Sequence, residues 1–302
     1  GWVGGWRGAM LLVVICCAVM LPGLCGIGPI DRDEARFAQA SRQMLETGDW
    51  VIPMVQDQPR LNKPPLVYWL QASSAWVFSG GNVSRDAIWM YRVPGVLCAI
   101  GAVLLTWRLG TAMGGASVGF LAGSMLAVSP LVAFDAHQAR ADQLLLLCTT
   151  WAMVALWSIW RRFRRGERAG LGLVLSFWLA MSAGVLAKGP ITPLVVGLAV
   201  VALSLLGGSS WVGAWGVVRA TRPVLGVAVV AAVVGPWVVA VASKVGFAAY
   251  AGLVWNESAG RAAGSTEGHF APPGLHTLLL VVLLWPGSVC VARAVIEAAR
   301  RG

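Results

Sequence analysis

Long apolar runs broken by short charged segments set the ground plan of this chain. The runs recur at Met10–Ile30, Val93–Trp107, Thr111–Phe134, Gln143–Trp160, Ala169–Ala187, Gly189–Val218, Pro223–Ser243 and Phe270–Ala292. Most are long enough to cross a hydrocarbon core of about 30 Å as a helix. The pattern predicts an all-α fold, a polytopic transmembrane helical bundle of about eight spans. One long polar segment, residues 31–87, separates the first run from the second and forms the first external loop. Within it Asp33–Leu45 sets Phe37, Met44 and Leu45 among charged neighbours, as in a helix lying in the membrane interface, and Gly48 ends it. Gln56–Lys63 reads as a polar turn region. Pro64-Pro65 then opens a second interfacial helix over Leu66–Phe78, whose Tyr68, Trp69 and Trp76 suit the headgroup level.

Composition agrees with a membrane protein. Of 302 residues 58% are hydrophobic and 12% charged, too little polar surface for a soluble domain. The net charge of +10 raises nucleic acid as a partner, but the excess cations fall in short loops that border the membrane. The six cysteines lie in apolar runs and show neither a disulfide framework nor metal-type spacing. The first run follows Arg7 and lacks a small-x-small cleavage site, so it reads as a retained anchor. If the spans alternate, Arg161–Arg168, Arg219–Arg222 and Arg293–Arg301 return to the side of Gly1, the positive-inside pattern. Eleven of the thirteen acidic residues then face the other side. The expected location is the plasma (inner) membrane, with the chemistry facing the outside or periplasm.

The candidate chemistry lies on that acidic face. Asp31, Asp33 and Glu34 crowd three carboxylates at the end of the first span, an arrangement that needs a compensating cation unless the acids only cap a helix. Lys63 precedes a rigid double proline, where its ammonium suits a phosphate or anchors the loop. Arg140-x-Asp142 forms either a surface ion pair or part of a site. Lys188 interrupts two apolar runs and needs a partner at that depth. Glu267 and His269 precede Pro272-Pro273, and His269 is either a structurally satisfied histidine or, with the nearby carboxylates, a metal ligand. Gly115, Gly119 and Gly123 repeat every fourth residue and most simply mean close helix packing. Phosphate-loop and dinucleotide motifs are absent, so no nucleotide cofactor is expected and a transferase here needs a lipid-linked donor.

Three motifs carry a family resemblance: Asp33-Glu34-Ala35-Arg36-Phe37-Ala38, then Gly48-Asp49-Trp50-Val51-Ile52-Pro53, then Lys63-Pro64-Pro65-Leu66-Val67-Tyr68-Trp69. In this order they resemble the GT-C type membrane glycosyltransferases, in the branch of lipid A aminoarabinose transferases and protein O-mannosyltransferases. The resemblance continues at Arg140-Ala141-Asp142, Ala187-Lys188-Gly189-Pro190 and Gly268-His269. It implies one GT-C-like domain over residues 1–302, belonging to the N-terminal part of a longer protein. The implied activity is inverting transfer of a hexosyl or pentosyl group from a polyprenyl-phosphate sugar to a lipid, protein or glycan acceptor. Asp33 would be the base. Glu34, Arg36, Lys63, Arg140, Asp142, Lys188 and His269 would bind substrate, with Arg36 and Lys63 on the donor phosphate. A divalent metal ion would rest on Asp33, Glu267 and His269, although Asn62 stands where aminoarabinose transferases typically carry Glu. The competing reading is a transporter or flippase of lipid-linked sugars, which requires ionisable residues along the spans.

Overall fold

The structure is a computed structural model that describes residues 3–61, 63–206, 211–253, 255, 279 and 281–301. Its helices in chain order are α1 (Gly5–Met20), α2 (Arg32–Thr47), α3 (Leu66–Ser79), α4 (Ile88–Gly114), α5 (Ala116–Ala127), α6 (Pro130–Ala136), α7 (Asp142–Arg164), α8 (Leu171–Lys188), α9 (Ile191–Leu206), α10 (Trp211–Ala220), α11 (Pro223–Val245) and α12 (Ser288–Arg301). A two-rung antiparallel pairing of Met54–Val55 with Gln58–Pro59 forms inside the expected polar turn, with Gln56 at φ 56°.

Among the described residues four helices, α4, α7, α8 and α11, are long and apolar enough to cross a membrane, or five if α5 and α6 make one bent span. The count falls short of the expected eight for three reasons. The run Met10–Ile30 does not stay helical, because α1 ends at Met20 and Pro22 and Gly23 (φ 83°) turn the chain. Thr111–Phe134 is cut at Gly115 (φ 91°) and bent by 54° where Pro130 opens α6. Gly189–Val218 divides into α9 and α10, and residues 270–278 and 280 of the run Phe270–Ala292 lie outside the described residues.

Two of the three repeat glycines serve close packing, while Gly115 meets nothing and makes the break between α4 and α5. A Cβ on Gly119 would stand 2.4 Å from the Trp107 carbonyl of α4, and one on Gly123 would lie 3.1 Å from Leu12 of α1. These glycines let α5 touch both neighbours at backbone distance. α4, α7 and α8 form the spine, and the other helices pack their buried faces on it.

The two helices of the first loop form close to the expected bounds, but their apolar sides meet protein. Phe37, Ala40 and Met44 of α2 pack on Val67, Tyr68 and Ala72 of α3, over Leu144 and Cys148 of α7. Tyr68 is fully buried with its ring stacked on Phe37, whereas Trp76 is exposed. α7 runs from Asp142 to Arg164, about 34 Å at helical rise, so the acid-bearing and arginine-rich ends of the bundle lie far apart.

Candidate active site

The three clustered carboxylates do not share one site. Each has its own arginine and points a different way. Glu34 is fully buried and salt-bridged to the equally buried Arg92 of α4, with 2.7 Å between Arg92 Nε and Glu34 Oε1. The same carboxylate accepts from the amides of Ala139 at 3.1 Å and Ile30 at 2.9 Å. Arg92 spends its remaining donors on the carbonyls of Leu24, Ile27 and Gly28, at 2.9, 2.7 and 3.0 Å. A buried charge pair costs much desolvation unless every donor and acceptor is satisfied. Here the loop between α1 and α2 folds around Arg92 to do so.

Asp33, one residue earlier, is half-exposed. Its Oδ1 lies 3.7 Å from Arg36 Nη1 and 3.6 Å from Arg60 Nη2. Arg60 itself is held from three sides: its Nε donates to Tyr68 Oη at 3.0 Å, its guanidinium lies 4.9 Å from the centre of the Phe37 ring, and its side chain is only 10% exposed. Burial pushes the Tyr68 phenol up to about 12, against the opposing pull of Arg60, so it stays a neutral hydroxyl that fixes the guanidinium. Lys63, partly buried, precedes the two prolines that open α3, where the motif placed it.

A second cluster adjoins the first at Asp31. Arg140 Nη1 lies 3.7 Å from Asp31 and its Nε 3.5 Å from Asp142 Oδ2. Asp142, in the first turn of α7, also accepts from Lys188, the last residue of α8, so the expected partner of that lysine is the neighbouring helix's first carboxylate. Arg140 Nε is buried without a hydrogen bond, leaving a cationic N–H open to an additional acceptor. The ion-pair and site readings of Arg140 and Asp142 therefore coexist.

The segment Asp49–Val55 is pinned from far along the chain. Lys244 at the end of α11 donates to Asp49 at 2.7 Å, and Trp237 of α11 donates to the Val51 carbonyl at 3.0 Å. Trp69 of α3 donates to the Trp50 carbonyl at 2.7 Å. Burial works against the charged form of Asp49, but the bonds from Lys244 and the amides of Val51 and Ile52 outweigh it and hold the carboxyl below its ordinary range.

The structure thus gathers Asp33, Arg36, Arg140, Asp142 and Lys188 at one end of the bundle. It withdraws Glu34, whose carboxylate is consumed in the core by Arg92 and two amides, so Glu34 orders the site from beneath and does not face a substrate. Of the expected metal set only Asp33 lies among the described residues, and its carboxylate faces guanidiniums. Glu267, His269 and Asn62 lie outside them. Among the described residues no three His, Cys, Asp or Glu side chains are placed to hold a metal ion. Sequence reasoning missed Arg60 and Arg92. Arg92 carried a usable signal, a lone arginine flanking an apolar run on the acidic side; Arg60 carried only its place in a polar turn.

Residues 62–240 match the protein family described as dolichyl-phosphate-mannose-protein mannosyltransferase. The chain is similar to undecaprenyl phosphate-alpha-4-amino-4-deoxy-L-arabinose arabinosyl transferases. It is 29% identical over 188 residues to that of Edwardsiella ictaluri, covering 62% of this chain and 32% of the relative. With the one from Photorhabdus laumondii it is 27% identical over 195 residues, covering 61% and 34%. The chain thus spans about a third of the length of these curated relatives. Its fold matches the crystal structure of ArnT from Cupriavidus metallidurans bound to undecaprenyl phosphate, with a TM-score of 0.77 and 20% identity over 96% of this chain and 51% of that one. The apo form matches with the same TM-score at 19% identity, over 94% and 49%.

Proposed function

The chain belongs to the dolichyl-phosphate-mannose-protein mannosyltransferase family, and from that premise we propose that it takes part in moving a sugar from a polyprenyl-phosphate donor to an acceptor at the external face of the membrane. The observation that carries this reading is Asp33, a solvent-reachable carboxylate set between Arg36 and Arg60 at the start of α2. A carboxylate beside cations is what a displacement at an anomeric carbon calls for. Asp33 takes the proton of the acceptor hydroxyl as its oxygen forms the new bond to the anomeric carbon. The bond from that carbon to the phosphate oxygen breaks, and its electron pair leaves with the polyprenyl phosphate. Arg36 and Lys63 stabilise the charge that develops on the departing phosphate, and one direct displacement inverts the anomeric centre. The resemblance to undecaprenyl-phosphate aminoarabinose transferases favours an undecaprenyl-phosphate pentose as donor. No step here runs through a metal ion.

A transporter reading is weaker, because the described charges gather at helix ends and pair there. The deciding experiment incubates membranes bearing the full-length protein with polyprenyl-phosphate sugar and follows label into the lipid fraction. Asp33→Asn keeps shape but removes basicity, and transfer should fall by about 10² or more. Undiminished transfer by Asp33→Asn would remove that residue from the chemistry. Absence of transfer by the unaltered protein with any polyprenyl-phosphate sugar would remove the reading itself.

A further inference from the structure

At the arginine-rich end, away from the acidic cluster, the end of α7, the loop from α7 to α8, α10 and the turn into α11 border a cavity of about 490 Å³, with Arg168, Arg219, Arg222, Glu167 and Phe163 in its wall. A second cavity of about 290 Å³, bordered by Arg161, Arg162 and Arg165, shares Glu167 with the first. Six guanidinium-bearing residues thus surround adjoining hollows that contain one carboxylate, and that carboxylate is engaged by Arg162 at 3.9 Å. Among the described residues Arg168, Arg219 and Arg222 have no acidic partner, although Arg222 Nη2 donates to the Ala169 carbonyl at 3.4 Å across the mouth of the cavity.

Two features mark this as a built hollow and not only the scatter of cations that orients a membrane protein. Gly216 of α10 forms part of the wall, and a Cβ there would stand 2.3 Å from the Phe163 ring, so any other residue would displace an aromatic wall. Arg222 holds φ 52° and ψ 66°, the left-handed region that a non-glycine residue rarely adopts and that concentrates where ligands are clamped. That conformation lets the chain turn sharply from α10 into α11 while keeping the Arg222 guanidinium over the hollow.

Guanidiniums recognise phosphate oxygens through paired N–H groups, and basic pockets between helices at a membrane surface hold anionic headgroups. We propose that this cavity binds the phosphate headgroup of an anionic phospholipid in the leaflet that borders the arginine-rich end. This site is separate from the donor site and independent of it. The apolar wall at Phe163 faces the glycerol portion, and Arg168, Arg219 and Arg222 take the phosphate.

The test is native mass spectrometry of the full-length detergent-solubilised protein, titrated with phosphatidylglycerol or phosphatidylcholine. Bound phosphatidylglycerol should exceed phosphatidylcholine, and the preference should fall about a hundredfold in Arg219→Gln/Arg222→Gly, two lost charge-assisted contacts at about tenfold each. Glycine suits the left-handed backbone at 222, so folding should survive; Arg168→Gln supplies a second variant that leaves the α10–α11 turn untouched. Arg108→Gln, an exposed arginine of α4 outside the cavity, should keep the preference. Equal loss in Arg108→Gln would reduce the effect to general charge and overturn the site. Equal binding of both lipids, or displacement of phosphatidylglycerol by millimolar inorganic phosphate, would overturn the headgroup assignment.

Discussion

Glu34 and Arg92, 58 residues apart in the chain, meet at 2.7 Å with neither side chain exposed to solvent. The pair joins the first turn of α2 to α4, and through the Arg92 donors it ties down the loop that follows α1. The neighbouring Asp33 is therefore presented from a rigid platform.

Removing one member of such a pair leaves an uncompensated buried charge. Arg92→Met should destabilise the protein by about 3–5 kcal/mol, and Glu34→Gln should also lower stability. Thermal unfolding in detergent measures both. The double variant Arg92→Met/Glu34→Leu should recover part of the loss, since two apolar groups replace two charges. A near-neutral Arg92→Met would show that the loop holds its shape without the guanidinium.

Donor binding should depend on the cations around Asp33. Lys63→Met keeps the aliphatic stem and deletes the charge, as does Arg36→Met. Each should weaken affinity for a polyprenyl-phosphate sugar by about 1.5–3 kcal/mol, the worth of a charge-assisted hydrogen bond. Calorimetry or tryptophan quenching reads the change, and unaltered affinity in both variants would dismiss the phosphate clamp.

The Asp49–Lys244 contact should carry a pH signature. The carboxyl of Asp49 is held below its unfolded value of about 3.9. Its contribution to stability is accordingly present above that value and is lost as pH falls through the lower, folded one. Both side chains are partly exposed, so a double-mutant cycle with Asp49→Asn and Lys244→Met should give only about 0.2–1 kcal/mol at neutral pH. The coupling should vanish in strong acid and in high salt. Coupling that grows as pH falls would contradict the assignment.

Sidedness can be read directly. In a background lacking exposed Cys25 and Cys290, a cysteine at Ser84 should react with an impermeant reagent added outside intact cells. One at Arg165 should react only after the membrane is opened. The reverse result would place the acidic cluster inside.

Much of the loop that carries the candidate chemistry was legible because its signals are local. Gly48 and the Pro64-Pro65 pair mark α2 and α3 within a residue or two, since a left-handed cap and a fixed first-turn φ need no distant partner. The fate of residues 21–30 was not legible. Their composition suits a membrane helix; Pro22 and Gly23 turn the chain, and the three carbonyls bonded to Arg92 hold the loop that results. The same holds for Glu34. From the motif it looks like Asp33, and only tertiary packing sends one carboxylate to solvent and the other into the core. The partner of Lys188 likewise became identifiable once α7 and α8 lay antiparallel and brought Asp142 beside it.

The bond from Lys244 to Asp49 spans 195 positions, and the one from Trp237 to Val51 spans 186. At ribosomal speeds of 5–20 residues per second, the anchors of this loop leave the ribosome roughly ten to forty seconds after the loop itself. During that interval Asp49–Val55 lacks its bonds from α11. The acid-bearing end of the bundle is therefore completed late in synthesis, and substitutions in α11 far from Asp33 should trap a nascent chain whose earlier helices are already inserted.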